Sequence, residues 1–245
     1  MSTTLTIARR EFRSNFDSPL AYVVICLGLI MLGVIFFFLG GGYWQADRAS
    51  MQRLFEWAPR GLSFLIVPVV TMRLLAEERH SGTLEMLITL PVKDQDVILG
   101  KFIGAWGLVL LLVLATTLYP LMMFGYPWHL GSLDSGPVLS GYVGLFLYSG
   151  AAVSIGLLVS ALTESQVIAF FVTFVILFSL HFMGMANESI ANQTLRQVIS
   201  FISFDARLAP FSRGLINTRD VVFFVSITIG CLMAAFRALE RRKWA

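Results

Sequence analysis

Apolar residues along this chain come in long uncharged runs rather than in strict alternation or helical stripes, and about 20 such residues match the hydrocarbon thickness of a bilayer. The runs predict six spans: Leu20 to Phe38, Trp57 to Ala76, Val97 to Met123, Val138 to Leu162, Val167 to Met185, and the final "VVFFVSITIGCLMAAF". Ahead of the first, Leu5, Ala8, Phe12 and Phe16 share one helical face while Arg9, Arg10 and Arg13 take the other. That pattern predicts a helix lying in the membrane interface and acting as an elbow. "DSP" then offers Asp17 or Ser18 as a cap and puts Pro19 at the first helical position, where its missing N–H costs nothing. Gly40 to Gly42 close the first span, and Asp47 to Arg60 form a polar stretch outside the hydrocarbon, with Trp44 and Trp57 as interfacial anchors. Pro68 inside the second span implies a kink tolerated by neighbouring helices. Lys101, near the start of the third, is placed to snorkel to the headgroups. Between the fifth and sixth spans, Asn187 to Asp220 is polar with amphipathic pieces such as "TLRQVISFI", which predicts a helical outer segment.

Composition agrees. The chain is 57% hydrophobic and 13% charged, where a soluble domain carries roughly a quarter charged residues. The fold class is therefore all-α integral membrane protein, one transmembrane domain over residues 1–245. The polar part before the first run is long and no small-residue cleavage site follows it, so no signal peptide is expected. The formal charge of +3 does not point to nucleic acid, because the basic residues flank apolar segments instead of forming a patch. They set topology. With the N-terminus inside, Arg9, Arg10, Arg13, Arg73, Arg79, Lys93, Lys101, Arg237, Arg241, Arg242 and Lys243 are cytoplasmic, 11 of the 18 lysines and arginines. That bias favours both termini in the cytoplasm. Cys26 and Cys231 fall inside apolar runs and read as small packing residues rather than a disulfide.

One block interrupts the apolar pattern: "LLAEERHSGTLEMLITLP", Leu74 to Pro91, between the second and third spans. Glu77, Glu78 and Arg79 carry the second span out of the lipid, where such charges would be costly. Gly82 can serve as an N-cap, Thr83 follows, Glu85 stands where a capping-box acid belongs, and Pro91 ends the element. A short helix with Leu84, Leu87 and Ile88 on one face would offer a compact amphipathic knob. A solvated polar loop is the plainer alternative. Elsewhere, Ala152, Gly156 and Ser160, like Gly100 and Gly104, recur every fourth residue and suit close packing within the bundle. Phe171, Phe174 and Phe178 share a face of the fifth span. His181 has no carboxylate or second histidine at helical spacing, which points to a hydrogen bond within the bundle rather than a metal or proton relay. No convergent set of His, Asp or Glu suggests a catalytic site.

The order of residues in "EERHSGTLEMLITLP" closely resembles the E-E-R-x-x-G-T-x-E-x-L-x-x-x-P signature in the membrane subunits of type-2 ATP-binding-cassette (ABC) exporters. "RREFRSNFDSPLAYV" and "FSRGLINTRDVVFF" are similar to the gliding-motility-associated (Gld-type) permease branch of that family, so with the six spans the likeness covers essentially the whole chain. The resemblance implies a permease subunit in the bacterial inner membrane, dimerised with a second permease and driven by cytosolic ABC ATPases. Glu77, Glu78, Arg79, Gly82, Thr83, Leu84, Glu85 and Leu87 would form the coupling contact with the ATPase. ATP and Mg would sit on that partner, with no cofactor in this chain. In keeping with this, the single Gly-Lys pair, Gly100 and Lys101, lacks the upstream glycine and the following hydroxyl of a phosphate-binding loop. In related exporters the second and fifth helices line the route, so Phe171, Phe174 and Phe178 could give an apolar path, with simple exposure to lipid as the alternative. The outer segment would meet an auxiliary extracytoplasmic subunit, or else bind headgroups. An alternative function is mechanotransmission, in which this chain drives an outer partner without passing cargo.

Overall fold

In the computed structural model the described residues are 3–38, 51–80, 82, 94–124, 134–186 and 192–241. They are helical, with no strand among them. The helices are α1 (Thr3–Asp17), α2 (Pro19–Phe37), α3 (Gln52–Gly61), α4 (Val67–Thr71), α5 (Ala76–His80), α6 (Asp94–Ala115), α7 (Leu118–Phe124), α8 (Ser135–Leu162), α9 (Gln166–Ala186), α10 (Gln193–Ile202), α11 (Phe204–Ser212) and α12 (Thr218–Arg241). A π-helical stretch, Leu62–Ile66, joins α3 to α4. Five helical stretches are long and apolar enough to cross a membrane, and α1 with α2, bent by 77°, would make a sixth.

The bundle is organised around α8. Its most apolar window is 78% buried, against 22% for α9 and 11% for α12, so α8 is the core helix and the other two present most of their surface outward. Small residues make this possible. A side chain at Gly144 would collide with Phe211 and one at Gly156 with Thr71, while Ala151, Ala152 and Ser154 are fully buried. The spacing read as intramolecular packing does pack the bundle. Glycines on α6 do the same for α1: a Cβ at Gly100 would lie 2.6 Å from Ile7, and one at Gly104 2.7 Å from Glu11. The inward face of α1 therefore runs through Ile7, Ala8, Glu11 and Phe12, whereas Leu5 stays 50% exposed. The face expected from hydrophobicity alone is thus rotated, because backbone access to two glycines outweighs one leucine's apolar area.

The second span is longer and more broken than its hydropathy implies. It starts at Gln52, and Leu54, Phe55 and Ala58 are buried, so most of the stretch assigned to the outside, residues 52–60, belongs to the helix of the span. Pro68 brings two defects: it cannot donate, and its ring crowds the carbonyl four residues back. The π turn answers this by shifting the ladder one residue, with the Val67 N–H donating to the Leu62 carbonyl. Nearer the other end, Met72 to Leu75 form a turn before α5 restarts the helix. Gly82 then takes φ +71°, with its N–H donating to the Arg79 carbonyl at 3.2 Å. That is the left-handed residue that ends a helix, which differs from the extended backbone of an N-cap.

Candidate functional site

Both ends of the second span are tied to other elements by buried charge. At the α5 end, the Lys101 ammonium donates to Glu11 Oε1 at 3.0 Å and to Glu78 Oε1 at 2.7 Å. Its side chain is 3% exposed, and the two glutamates are 22% and 24% exposed. Lys101 therefore does not snorkel. A lysine one turn or more inside an apolar helix must either reach water or meet anions, and here α1 and α5 each deliver one. Thr4 adds a hydrogen bond to Asp96 at 2.6 Å, fixing α1 along α6.

Around this centre, Arg73 pairs with Glu77 at 2.9 Å and Arg79 donates to the Thr163 carbonyl at 3.4 Å, in the turn between α8 and α9. Glu77, Glu78 and Arg79 thus lie together at the end of the span, held against α6, α1 and the α8–α9 turn. Thr83, Leu84, Glu85 and Leu87, and with them the expected helix Thr83 to Leu90, lie outside the described residues. The break at Met72 to Leu75 is stitched by α8. Ser160 Oγ accepts from the Leu75 and Ala76 N–H groups at 3.0 and 3.1 Å, supplying the partners that the interrupted helix lacks. Ser160→Ala should lower stability by about 2 kcal/mol by stranding those buried donors. Thermal unfolding of the purified chain checks this, and an unchanged midpoint would remove Ser160 from the role.

At the other end a second network joins four elements. Arg60 on α3 donates to Asp205 Oδ2 at 2.7 Å, and His181 Nδ1 on α9 lies 2.7 Å from Asp205 Oδ1. His181 Nε2 lies 3.0 Å from the Tyr148 hydroxyl of α8. Tyr148 and Ser63 in turn donate to the Pro59 carbonyl at 3.0 and 2.9 Å, and they also touch each other. The Pro59 carbonyl sits where the π turn begins and accepts from the Leu62 N–H as well, so the two hydroxyls add to a backbone bond at this junction. Gly184, one turn past His181, lets α9 approach Ser203 and Asp205. Burial pushes the Asp205 carboxyl up, but the hydrogen bonds from His181 and Arg60 and their charges outweigh it and hold the group below the usual carboxylate range. His181 does make its hydrogen bonds inside the bundle. The carboxylate comes from 24 residues on, beyond any helical spacing.

Of the phenylalanines proposed for a path, Phe171 is 58% and Phe178 36% exposed, while Phe174 meets Phe64 of the second span edge-on at 5.2 Å. These rings occupy one outward surface where the second and fifth spans meet. Trp57 is 43% exposed with the Arg60 guanidinium 5.0 Å over its ring, the placement of an interfacial anchor. Both cysteines are free thiols, Cys26 on the outer surface of α2.

Two features that sequence reasoning missed had signals. A lysine embedded in an apolar helix is itself a request for a buried anion, and Ser203 followed by Asp205 begins a helix, its hydroxyl accepting from the Ala206 N–H. No curated protein sequence matches the chain. Residues 61–237, well over half of its length, match the family described as ABC-2 family transporter protein. With several helices long and apolar enough to cross a membrane, this multi-pass membrane chain belongs to that transporter family.

Proposed function

We propose that this chain is the permease subunit of an ABC exporter in a bacterial inner membrane, powered by ATP hydrolysed on a separate cytosolic ATPase. The observation that carries the reading is the second span: one continuous path of chain, broken twice, with an ion-paired anchor at Glu78 and another at Arg60. The anchors are roughly 25 Å apart along the helix. A push on the block after Gly82 reaches α1 and α6 through Lys101, and a tilt of the span reaches α9 and α11 through Asp205. ATP and Mg belong to the partner ATPase, whose closure would move Thr83, Leu84, Glu85 and Leu87.

In this reading Glu78 and Arg79 act mainly as the base of the lever, while Leu84 and Leu87 enter a groove of the ATPase. Phe171, Phe174 and Phe178 line the route taken by an apolar cargo between this chain and a second permease. Leu84→Arg combined with Leu87→Arg should abolish co-purification of the ATPase while membrane insertion persists, since two buried charges cannot enter an apolar groove. A retained complex would overturn the docking assignment. Cysteines introduced at Ser81 and Asn192 should be labelled from opposite sides of sealed vesicles, Ser81 from the cytoplasmic side. Labelling of both from one side would overturn the topology.

A further inference from the structure

At the Thr218 end of α12 a cavity of about 650 Å³ opens between α10, α11 and α12, walled by Ser200, Arg207, Asn217, Thr218 and Arg219. It shares Phe201, Arg207, Thr218 and Arg219 with a second hollow of about 560 Å³ that runs along α12 past Val222, Ser226 and Ile227. The first is walled mainly by hydroxyl, amide and guanidinium groups, with the Asp220 carboxylate and a few apolar side chains among them. The second is walled mostly by carbon. They form one continuous trough with a polar head and an apolar tail.

Arg207 joins the two and is only 4% exposed. Its Nη1 donates to Asp220 Oδ1 at 2.9 Å and its Nε to the Phe201 carbonyl at 3.2 Å. The rings of Phe201 and Phe223 lie 4.5 and 4.9 Å from its guanidinium carbon. Nη2 is buried and has no hydrogen-bond partner. A buried guanidinium N–H without an acceptor is costly and rare, so an acceptor brought to Arg207 would satisfy a group the fold leaves unpaired. Asp220 engages Arg207 through Nη1 alone, and its other oxygen takes a hydrogen bond from Asn217 at 3.2 Å. Exposed Arg219 reaches over the Phe201 ring at 5.4 Å, beside Arg207 at the same end of α12. Arg207 and Arg219 against Asp220 leave the head of the trough with one positive charge in excess.

We propose that this trough binds an anionic phospholipid: Arg207 and Arg219 hold its phosphate, and the groove past Val222, Ser226 and Ile227 takes an acyl chain. The surface of α12 is the least buried of the spans, so a lipid reaches the groove from the bilayer without a gate. The phosphate then lies at the membrane boundary, where cationic pockets between spans take headgroups. The inference needs the chain to be in a bilayer, and is independent of its ATPase partner and of which side Thr218 faces.

The test is native mass spectrometry of the full chain released from phosphatidylcholine bilayers containing phosphatidylglycerol. The expected result is one phosphatidylglycerol retained in preference to phosphatidylcholine. Arg219→Gln should weaken that retention about five-fold, the worth of one basic residue near a headgroup. Ser226→Trp, which fills the tail groove, should also release the lipid, and added inorganic phosphate should not displace it. Both substituted side chains are exposed, so the fold is kept. Unchanged retention in the two variants would overturn the proposal, and displacement by inorganic phosphate would reduce the site to an ion site without a tail.

Discussion

Lys101→Ala is expected to be the most damaging single substitution in the bundle, costing about 3–5 kcal/mol by leaving buried anions without their cation. The side chain is 3% exposed and serves two carboxylates from different elements, Glu11 and Glu78. Removing it leaves two negative groups facing one another at the junction of α1, α5 and α6. They must then repel, recruit water or take up protons, and each response loosens α5 from α6. Replacing the whole cluster should be far milder: Lys101→Met with Glu11→Gln and Glu78→Gln removes the charges together, and such replacements are often close to neutral. Thermal unfolding of the two variants distinguishes a charge requirement from a packing requirement. Equal losses in both would mean that the ion cluster is not what holds the elements together. In the permease reading, Lys101→Ala should also uncouple ATP hydrolysis from transport, because the lever has lost its fulcrum.

How much of this could be read from sequence follows from the range of each signal. Runs of apolar residues are local, so the presence of several spans, the helices between the last two and the packing role of Gly156 were legible. Pro68 announced a kink, although the form it takes, a π turn with the Pro59 carbonyl held by Ser63 and Tyr148, depends in part on a side chain 89 residues away. Partner choice is what sequence does not encode locally. Glu78 reads as a charge leaving the membrane, and only the approach of α6 on its glycines, with α1 alongside, makes it the counter-ion of Lys101. His181 reads as isolated because its acid arrives from another helix through the Gly184 gap.

Asp205→Ala is expected to cost about 3 kcal/mol, the price of leaving a guanidinium and an imidazole facing an empty position at the Arg60 end of the second span. Among the described residues, Asp205 is the acid that joins α3, α9 and α11, through Arg60 and His181. Its loss should free α10 and α11 from the spans, seen as faster hydrogen exchange in residues 193–212 with little change in α8. The pH dependence has a definite sign. The folded carboxyl titrates below its ordinary value of about 3.9, so its contribution is complete above that pH and disappears as pH falls through the lower folded value. The gap in thermal midpoint between the native chain and Asp205→Asn should therefore narrow as pH falls below about 4. A gap that widened on acidification would require a carboxyl raised by burial, and with it an Arg60 and a His181 that do not engage Asp205. In that case the second span has no outer anchor, and a tilt begun at Glu78 would end within the bundle rather than reach the outer helices.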